Sequence, residues 1–301
     1  MNTKIRLLNA ALALGLGLIM AACGGGGSGG EGSGAASVST MSASPTRYGQ
    51  TMTINVTGRN LDQGIDMVVE GNCQNLTRVA GGTADGVQFT CIVRGIGEIV
   101  PRVRAFDGQR ELASLKVSIP LPRVSLTLSD GSRSGAVLLE LDPVAAPNTV
   151  DNFLAYATTP ATAPFYRGTA VSYADPAMGI RLGGFTLHSS GSGALTAKTP
   201  TRDPIPVEAG NGLKNLRGTV ALVARQVGDP AVQWWISTKD NPTLDLGSAE
   251  NPAGYTVFGK VVEGLEIVEV ATAVPTLVEL VSGSTRAPVT GVTISAISQT
   301  R

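Results

Sequence analysis

Few side chains in this 301-residue sequence could carry out covalent or metal chemistry. There is one histidine, His188, and there are three cysteines. A zinc site with several histidine ligands is therefore excluded, and so is a site of four cysteines. A Ser-His-Asp triad would have to use His188, which stands beside two serines and a glycine and is expected to be a loop residue. The 23 basic and 23 acidic side chains cancel, so no net positive charge attracts a nucleic acid.

The segment before Cys23 is typical of an export signal. Lys4 and Arg6 precede an uncharged apolar run that ends at Met20 and is too short to span a bilayer. Its ending resembles a bacterial lipoprotein signal, which makes residues 1–22 the signal peptide and Cys23 the lipidated residue. The alternative is a plain secretory signal in which Cys23 has no role.

Residues 23–36 are predicted to form a flexible tether. Eight of the eleven residues from Gly24 to Gly34 are glycine, and such a segment cannot pack. A glycine, rather than an aspartate, directly after Cys23 resembles lipoproteins sorted to the outer membrane. We therefore expect a lipid-anchored protein in the cell envelope of a Gram-negative bacterium, at the outer membrane and facing the periplasm.

Cys73 and Cys91 remain once Cys23 is assigned to the lipid. An exported protein meets an oxidising compartment, in which these two cysteines have one possible pairing. A bridge across this loop would stabilise the fold by about 3 kcal/mol according to the chain-entropy model. The sequence therefore predicts a Cys73–Cys91 disulfide, with two buried free thiols as the alternative.

Residues 37–120 are predicted to form a small β-sandwich. Apolar and polar residues alternate from Thr51 to Val56, from Val87 to Val93 and from Leu115 to Ile119, and glycine-rich turns separate these stretches. The run from Pro45 to Leu61 resembles bacterial immunoglobulin-like modules. No set of residues in this domain suggests catalysis, so we expect a spacer or docking role.

Residues 121–301 are predicted to form a closed antiparallel barrel with one or two helices. Pro147 opens a helical stretch whose apolar residues have the spacing of one buried stripe. Closing the sheet leaves no strand edge exposed. The strand candidates are Val124–Leu128, Ala136–Leu141, Gly168–Tyr173, Ile180–Thr186, Gly218–Ala224, Gln233–Thr238 and Tyr255–Val261.

Seven stretches of this segment stand in the order found in one enzyme family. They are Leu139–Leu141, Ala146–Phe153, Phe165–Thr169, Gly183–Phe185, Asn211–Ala221, Gln233–Ile236 and Tyr255–Val261. Together they resemble the bacterial cyclophilin-type peptidyl-prolyl cis-trans isomerases over roughly residues 122–300. The resemblance implies an eight-stranded β-barrel capped by two helices, the second near Gly264–Val268. The whole chain is then mainly β.

The resemblance also implies where a peptide-binding groove lies. The arginine of the family's Phe-His-Arg stretch corresponds to Tyr173, and the glutamine that orients this arginine corresponds to Arg181. The family's phenylalanine pair corresponds to Trp234 and Trp235, which must face opposite sides of a strand, and the family position selects Trp235 for the groove. Further substrate-contacting positions correspond to Met178, Gln233, Leu244 and Tyr255, and Arg225 lies close to another.

Isomerisation of an Xaa-Pro bond requires no nucleophile, metal or cofactor. Its barrier of about 20 kcal/mol arises from amide resonance, and the twisted amide gains a lone pair on the prolyl nitrogen. A hydrogen-bond donor aimed at this nitrogen stabilises the twisted state selectively. The scarcity of histidine and cysteine is therefore compatible with this reaction, whose substrates are extended or unfolded polypeptides that contain proline.

Three hypotheses remain open because tyrosine replaces the family arginine. In the first, Arg181 supplies the donor and Tyr173 orients it, and the protein is an isomerase that assists the folding of envelope proteins, with activity that loss of the family arginine can lower. In the second, the groove binds proline-containing peptides through Trp234, Trp235, Met178 and Gln233 but catalyses poorly. In the third, the protein is an envelope scaffold whose two domains present interaction surfaces.

Overall fold

The computed structural model divides the chain into two compact units. It describes residues 20–21, 34–106, 108, 110–160, 162–187, 195–223, 231–274, 276–279, 285–288 and 290–301. One unit contains the described residues up to Ile119, and the other extends from Pro120 to Arg301. Cys23 and most of the predicted signal peptide and tether lie outside the described residues.

The N-terminal unit consists of two antiparallel sheets with one buried face each. Its strands are β1 (Met20–Ala21), β2 (Ser37–Ser44), β3 (Thr51–Arg59), β4 (Ile65–Glu70), β5 (Cys73–Arg78), β6 (Gly86–Val93), β7 (Gly97–Ala105), β8 (Glu111–Ser114) and β9 (Val117–Ile119). One sheet has the order β1-β2-β3-β6-β5, and the other has β4-β7-β8, with β9 also paired to β7. Alternate side chains such as Ile54 and Phe89 are buried, as the sequence pattern predicts for a β-sandwich.

A disulfide joins the edge strand β5 to its neighbour β6. It links Cys73 to Cys91, whose Cα atoms are 5.6 Å apart, so the predicted pairing is present in the structure. Cys91 is buried on the same face of β6 as Phe89 and Val93. The bond therefore attaches the edge strand directly to the core of this unit.

The C-terminal unit is a curled antiparallel sheet of eight strands with two helices. Its elements are β10 (Arg123–Ser129), β11 (Ser134–Leu141), α1 (Pro147–Thr158), β12 (Tyr173–Asp175), β13 (Gly179–Leu182), β14 (Phe185–Leu187), β15 (Leu195–Ala197), β16 (Thr219–Leu222), β17 (Trp234–Ser237), β18 (Thr256–Glu263), α2 (Leu265–Thr272), β19 (Thr276–Glu279), β20 (Thr285–Pro288) and β21 (Thr293–Gln299). The large sheet has the order β12-β13-β17-β16-β18-β11-β10-β21, while β14 pairs with β15 and β19 with β20. Within the described part of the chain, no helix has the length and apolar character required to cross a membrane.

Backbone hydrogen bonds connect the two ends of the curled sheet. The Val171 N–H donates to the Val292 carbonyl at 2.8 Å, and the Ile294 N–H donates to the Thr169 carbonyl at 2.8 Å. Of the strand predicted over Gly168–Tyr173, only Tyr173 belongs to β12. The residues before it form isolated bridges, Ala170 with Thr293 across the gap and Thr169 with Thr186 of β14. The sheet is thus closed in the manner expected of a barrel.

Helix α1 fills the inside of the curled sheet with aromatic side chains. The Phe153 ring lies 5.4 Å from that of Trp234 and 5.1 Å from that of Phe258. The first turn of α1 is held by Glu208, whose carboxylate accepts hydrogen bonds from two backbone N–H groups at 3.1 and 2.9 Å. This interior packing fixes one face of β17 and leaves its other face for the candidate site.

Candidate functional site

Three of the predicted site residues, Tyr173, Arg181 and Trp235, lie in one row across the neighbouring strands β12, β13 and β17. The row continues to Ala221 on β16. Tyr173 pairs with Arg181, Arg181 pairs with Trp235, and Trp235 pairs with Ala221. Residues directly opposite each other on antiparallel strands point to the same face of the sheet. The register of the sheet therefore brings a phenol, a guanidinium and an indole side by side.

The two adjacent tryptophans of β17 face opposite sides of the sheet. Trp234 lies inside, where its ring is edge-on to that of Phe153 at 5.4 Å and lies 5.9 Å from that of Tyr166. Trp235 lies on the other face, and its ring centroid is 5.5 Å from that of Tyr173. Both side chains are buried. Trp235 is accordingly the tryptophan that belongs to the site.

The buried part of the site is an apolar cluster on this face. It consists of Ala221, Trp235, Leu244, Tyr255 and Val257, against which the half-buried Tyr173, Met178 and Val223 pack. The Tyr255 N–H donates to the Leu244 carbonyl at 2.8 Å, and the Asn241 side-chain amide donates to the Met178 carbonyl at 2.9 Å. These bonds fix the loops that carry the apolar side chains. We call the set Tyr173, Met178, Arg181, Gln233, Trp235, Leu244 and Tyr255 the β17 site.

Arg181 is held in the β17 site from two directions. Its guanidinium carbon lies 5.8 Å from the centre of the Tyr173 ring, within the range of a cation–π interaction. Its Nε donates to the Ser172 hydroxyl at 3.2 Å. The side chain is half-buried. The protein thus positions this cation beside the apolar cluster.

Ser172 and Asp175 contact the site, although the sequence analysis did not predict a role for either. The Tyr173 hydroxyl donates to Asp175 Oδ2 at 3.4 Å, and Asp175 Oδ1 accepts from the Ala177 N–H at 2.8 Å. Asp175 therefore supports both Tyr173 and the turn that leads to Met178. The one signal for Ser172 is its place in the family's Phe-His-Arg stretch, where it replaces the histidine.

Gln233 stands two residues before Trp235 and packs against a glycine. A Cβ at Gly184 would lie 2.5 Å from the Gln233 Cγ, so a larger residue at position 184 would displace this side chain. The Gln233 carbonyl accepts from the Val223 N–H at 2.9 Å. Its side-chain Oε1 is buried and has no hydrogen-bond partner in the described part of the structure.

Arg225, like His188 and Cys23, the predicted lipidation residue, lies outside the described residues. Inside the described ranges, no three side chains of histidine, cysteine, aspartate or glutamate are arranged to hold a metal ion. What the β17 site does offer is an apolar surface with guanidinium, phenol, indole and amide groups around it. Such groups can bind a peptide and donate hydrogen bonds to it.

Solved structures with a similar fold have been determined for a cyclophilin-type peptidyl-prolyl cis-trans isomerase of Cryptosporidium parvum. One structure has a TM-score of 0.45 and 18% sequence identity and covers 60% of this chain and 98% of that chain. A second structure, obtained in the presence of the dipeptide Ala-Pro, has a TM-score of 0.44 and 19% sequence identity. It covers 58% of this chain and 96% of that chain.

Sequence comparisons identify bacterial relatives of the C-terminal unit. Peptidyl-prolyl cis-trans isomerase A of Dickeya dadantii is 37% identical over 144 residues, which are 48% of this chain and 69% of the relative. Peptidyl-prolyl cis-trans isomerase B of Escherichia coli is 33% identical over 144 residues, or 47% of this chain and 81% of the relative. Residues 123–298 match the family model "Cyclophilin type peptidyl-prolyl cis-trans isomerase/CLD". Because this match spans more than half of the sequence, the chain belongs to the cyclophilin-type peptidyl-prolyl cis-trans isomerase family.

Proposed function

We propose that the C-terminal unit isomerises Xaa-Pro bonds in extended polypeptides, with Arg181 as the donor to the prolyl nitrogen and Tyr173 as its support. The observation that carries this proposal is the row Tyr173, Arg181 and Trp235 across three adjacent strands, with the guanidinium 5.8 Å from the Tyr173 ring. Membership of an isomerase family supports the reaction, and this row supports the assignment of the donor.

The proposed reaction depends on a donor that acts in the transition state. Amide resonance keeps the Xaa-Pro bond planar, and twisting it localises a lone pair on the prolyl nitrogen. A guanidinium donor directed at that lone pair binds the twisted amide better than either planar form, which lowers the barrier. The apolar cluster around Trp235 and Leu244 holds the prolyl ring while the preceding carbonyl turns.

The remaining residues of the β17 site bind the substrate. Met178 and Tyr255 extend the apolar surface for the ring, and Gln233 presents its amide to the peptide backbone. From its place in the sequence, Arg225 is proposed to contact the peptide beyond this surface. The substrates are extended or unfolded polypeptides that contain proline, and neither a metal nor a cofactor takes part.

The substitution Arg181→Ala tests the donor role. With a tetrapeptide that carries a central Ala-Pro bond, exchange NMR should show kcat/KM lowered by about one to two orders of magnitude. Arg181→Lys keeps the charge but not the planar guanidinium, and its kcat/KM should lie between those of the wild type and Arg181→Ala. Arg133→Ala, in the turn between β10 and β11, is the matched control and should keep wild-type turnover. Equal turnover in the Arg181→Ala and Arg133→Ala variants would refute the donor role.

A second candidate function is peptide binding without efficient catalysis. The observation that favours it is Tyr173 itself, because one neutral hydroxyl replaces the guanidinium of the family arginine and has a shorter reach. In that case the wild-type protein binds the Ala-Pro peptide but leaves its exchange rate at the uncatalysed value. If the protein is instead a scaffold that neither binds nor isomerises prolyl peptides, a titration with this peptide would show no binding.

The cellular role that we propose is assistance to protein folding in the envelope of a Gram-negative bacterium. Supporting features are the signal-like residues 1–22, Cys23 with the glycine-rich tether behind it, and the Cys73–Cys91 disulfide, which is typical of oxidising compartments. We further propose that the N-terminal unit is an immunoglobulin-like module that acts as a spacer or docking domain between the outer-membrane anchor and the isomerase.

A further inference from the structure

The indole N–H of Trp235 is a buried donor without a partner. The side chain is 4% exposed, and its Nε1 has no hydrogen-bond partner within the described part of the structure. Burying a polar group without a hydrogen bond is unfavourable, and unpaired donors in native structures are rare. The Trp234 Nε1 is also buried and unpaired among the described residues, but its ring packs in the interior. Of these two donors, that of Trp235 is therefore the candidate for a bond that forms when the site is occupied.

The surroundings of Trp235 indicate which kind of molecule supplies the acceptor. Trp235 belongs to the apolar cluster described above, which includes other members of the β17 site such as Leu244 and Tyr255. Gln233, two residues earlier, carries a buried Oε1 that also has no partner among the described residues. Side chains two residues apart on a strand share a face and stand about 7 Å apart. An unpaired donor and an unpaired acceptor at this spacing suit an extended peptide, which offers both groups along its backbone.

We propose that the Trp235 Nε1–H donates a hydrogen bond to a backbone carbonyl oxygen of the bound prolyl peptide. This inference rests on the peptide-binding part of the proposed function. The family pattern has phenylalanine at this position, and a phenylalanine cannot donate. The bond is therefore an additional anchor that belongs to this chain.

The peptide reaches this donor by displacing the Met178 side chain, while Tyr173 stays beside Arg181. Tyr173 and Met178 pack against the buried cluster that contains Trp235. The Met178 side chain is unbranched and has three rotatable bonds, so it turns aside at low cost when a prolyl ring enters. Insertion of the ring thus exposes the indole N–H to the peptide and not to water.

The carbonyl is the acceptor because of the electronic structure of the peptide. In the planar amide the nitrogen lone pair is delocalised, and the carbonyl oxygen is the group that accepts hydrogen bonds. A bond to this oxygen exists in the ground state as well as in the transition state. It consequently strengthens binding and lowers KM without raising kcat.

Indole NMR signals test whether the donor senses the peptide. The chain has two tryptophans, so a ¹⁵N-labelled sample gives two indole signals, and Trp234→Phe assigns them. A saturating Ala-Pro tetrapeptide should shift the Trp235 signal and leave that of Trp234 in place, because Trp234 faces the interior. A peptide that binds, as seen from backbone signals, without moving the Trp235 signal would overturn the inference.

An isostere separates the hydrogen bond from ring contacts. In 3-benzothienylalanine, sulfur replaces the N–H of tryptophan while the shape is kept. Placed at position 235, it should weaken peptide binding about threefold to tenfold with kcat unchanged. The same replacement at position 234 should leave the affinity unaltered. Wild-type affinity in the position-235 variant, or a loss confined to kcat, would contradict a ground-state bond.

The outcomes distinguish this inference from the proposed catalytic role. A wild-type protein that binds no prolyl peptide refutes both. Normal peptide binding with full turnover in the Arg181→Ala variant refutes the role of Arg181 alone. Normal turnover together with an unresponsive Trp235 indole refutes the present inference alone.

Discussion

Tyr173 and Arg181 illustrate how a cation can be supplied from a neighbouring strand. The family arginine position holds tyrosine, and the arginine stands directly opposite it on β13. Paired strands lie about 4.8 Å apart, a distance that the long arginine side chain can span. The Tyr173 ring then has a different task, because it provides the π surface on which the guanidinium rests.

Removing the ring of Tyr173 should impair turnover more than removing its hydroxyl. Tyr173→Phe keeps the π surface and should change kcat/KM less than about threefold, whereas Tyr173→Leu should lower it about tenfold, because a cation–π interaction contributes on the order of 1 kcal/mol. Exchange NMR with the Ala-Pro tetrapeptide measures kcat/KM for both variants. If the two variants were equally impaired, the hydroxyl itself would be the important group.

At the residue scale, the sequence predicted positions better than contacts. The side chains opposite each other at Tyr173, Arg181 and Trp235 follow from the order of the family stretches and from strand alternation. The hydrogen bonds of Ser172 and Asp175 could not be predicted, because they depend on side-chain directions that strand alternation does not determine. The roles assigned to the site residues stay predictions until the variants are measured.

Glu140 on β11 connects several elements of the curled sheet. Its carboxylate lies 2.8 Å from Arg123 of β10, 3.2 Å from Arg301 and 3.8 Å from Lys260 of β18. The Glu140 side chain is 12% exposed. The hydrogen bond from Arg123 is the main cause that lowers the pKa of this carboxyl below its usual value, and desolvation opposes it.

The stabilisation by Glu140 should depend on pH. Because the pKa is lower in the folded state, the contribution is complete above the usual value of 4.5 and is lost as the pH falls through the folded-state value. In thermal unfolding, the free energy of unfolding of Glu140→Gln should therefore be lower than that of the wild type by on the order of 1 kcal/mol at pH 7 and by less at pH 3. Glu269→Gln, which breaks an exposed pair, is the control. A deficit that is equal at both pH values would contradict this explanation.

The helices and strands were more predictable than the residue pairings that connect the two ends of the sheet. Helix α1 begins at Pro147, as the apolar stripe and the proline predict, and α2 overlaps the second predicted helix. These features depend on residues close in sequence. The short β12 could not be predicted, since the partner of Thr169 and Val171 is the segment at the start of β21, and no local pattern encodes that pairing.

At the scale of the whole molecule, the two units have separate tasks in our proposal. All described residues of the β17 site belong to the unit that begins at Pro120, while the disulfide lies in the other unit. The glycine-rich tether predicted between Cys23 and β2 would let the protein work at a distance from the bilayer surface. The isomerase unit needs no contact with lipid for its chemistry.

Lipid attachment should depend on Cys23 alone. In a Gram-negative host grown with labelled palmitate, the wild-type protein should incorporate label and sediment with outer membranes. Cys23→Ser should abolish labelling, because the acceptor thiol is gone. The double variant Cys73→Ser/Cys91→Ser controls for loss of other cysteines and should keep the label. Label retained by Cys23→Ser would exclude the anchor at this position.

The hydrogen bond from the Ile294 N–H to the Thr169 carbonyl, which helps to connect the two ends of the sheet, also has a consequence for biosynthesis. Strand β21 is made after every other strand of the large sheet, so the edge of β10 that does not face β11 stays unpaired in a growing chain until the final segment arrives. Ribosomal stalling or proteolytic clipping shortly before β21 would leave that edge free to recruit strands from other molecules. Nascent and truncated chains are therefore the forms that we expect to aggregate most readily and to gain most from holdase chaperones.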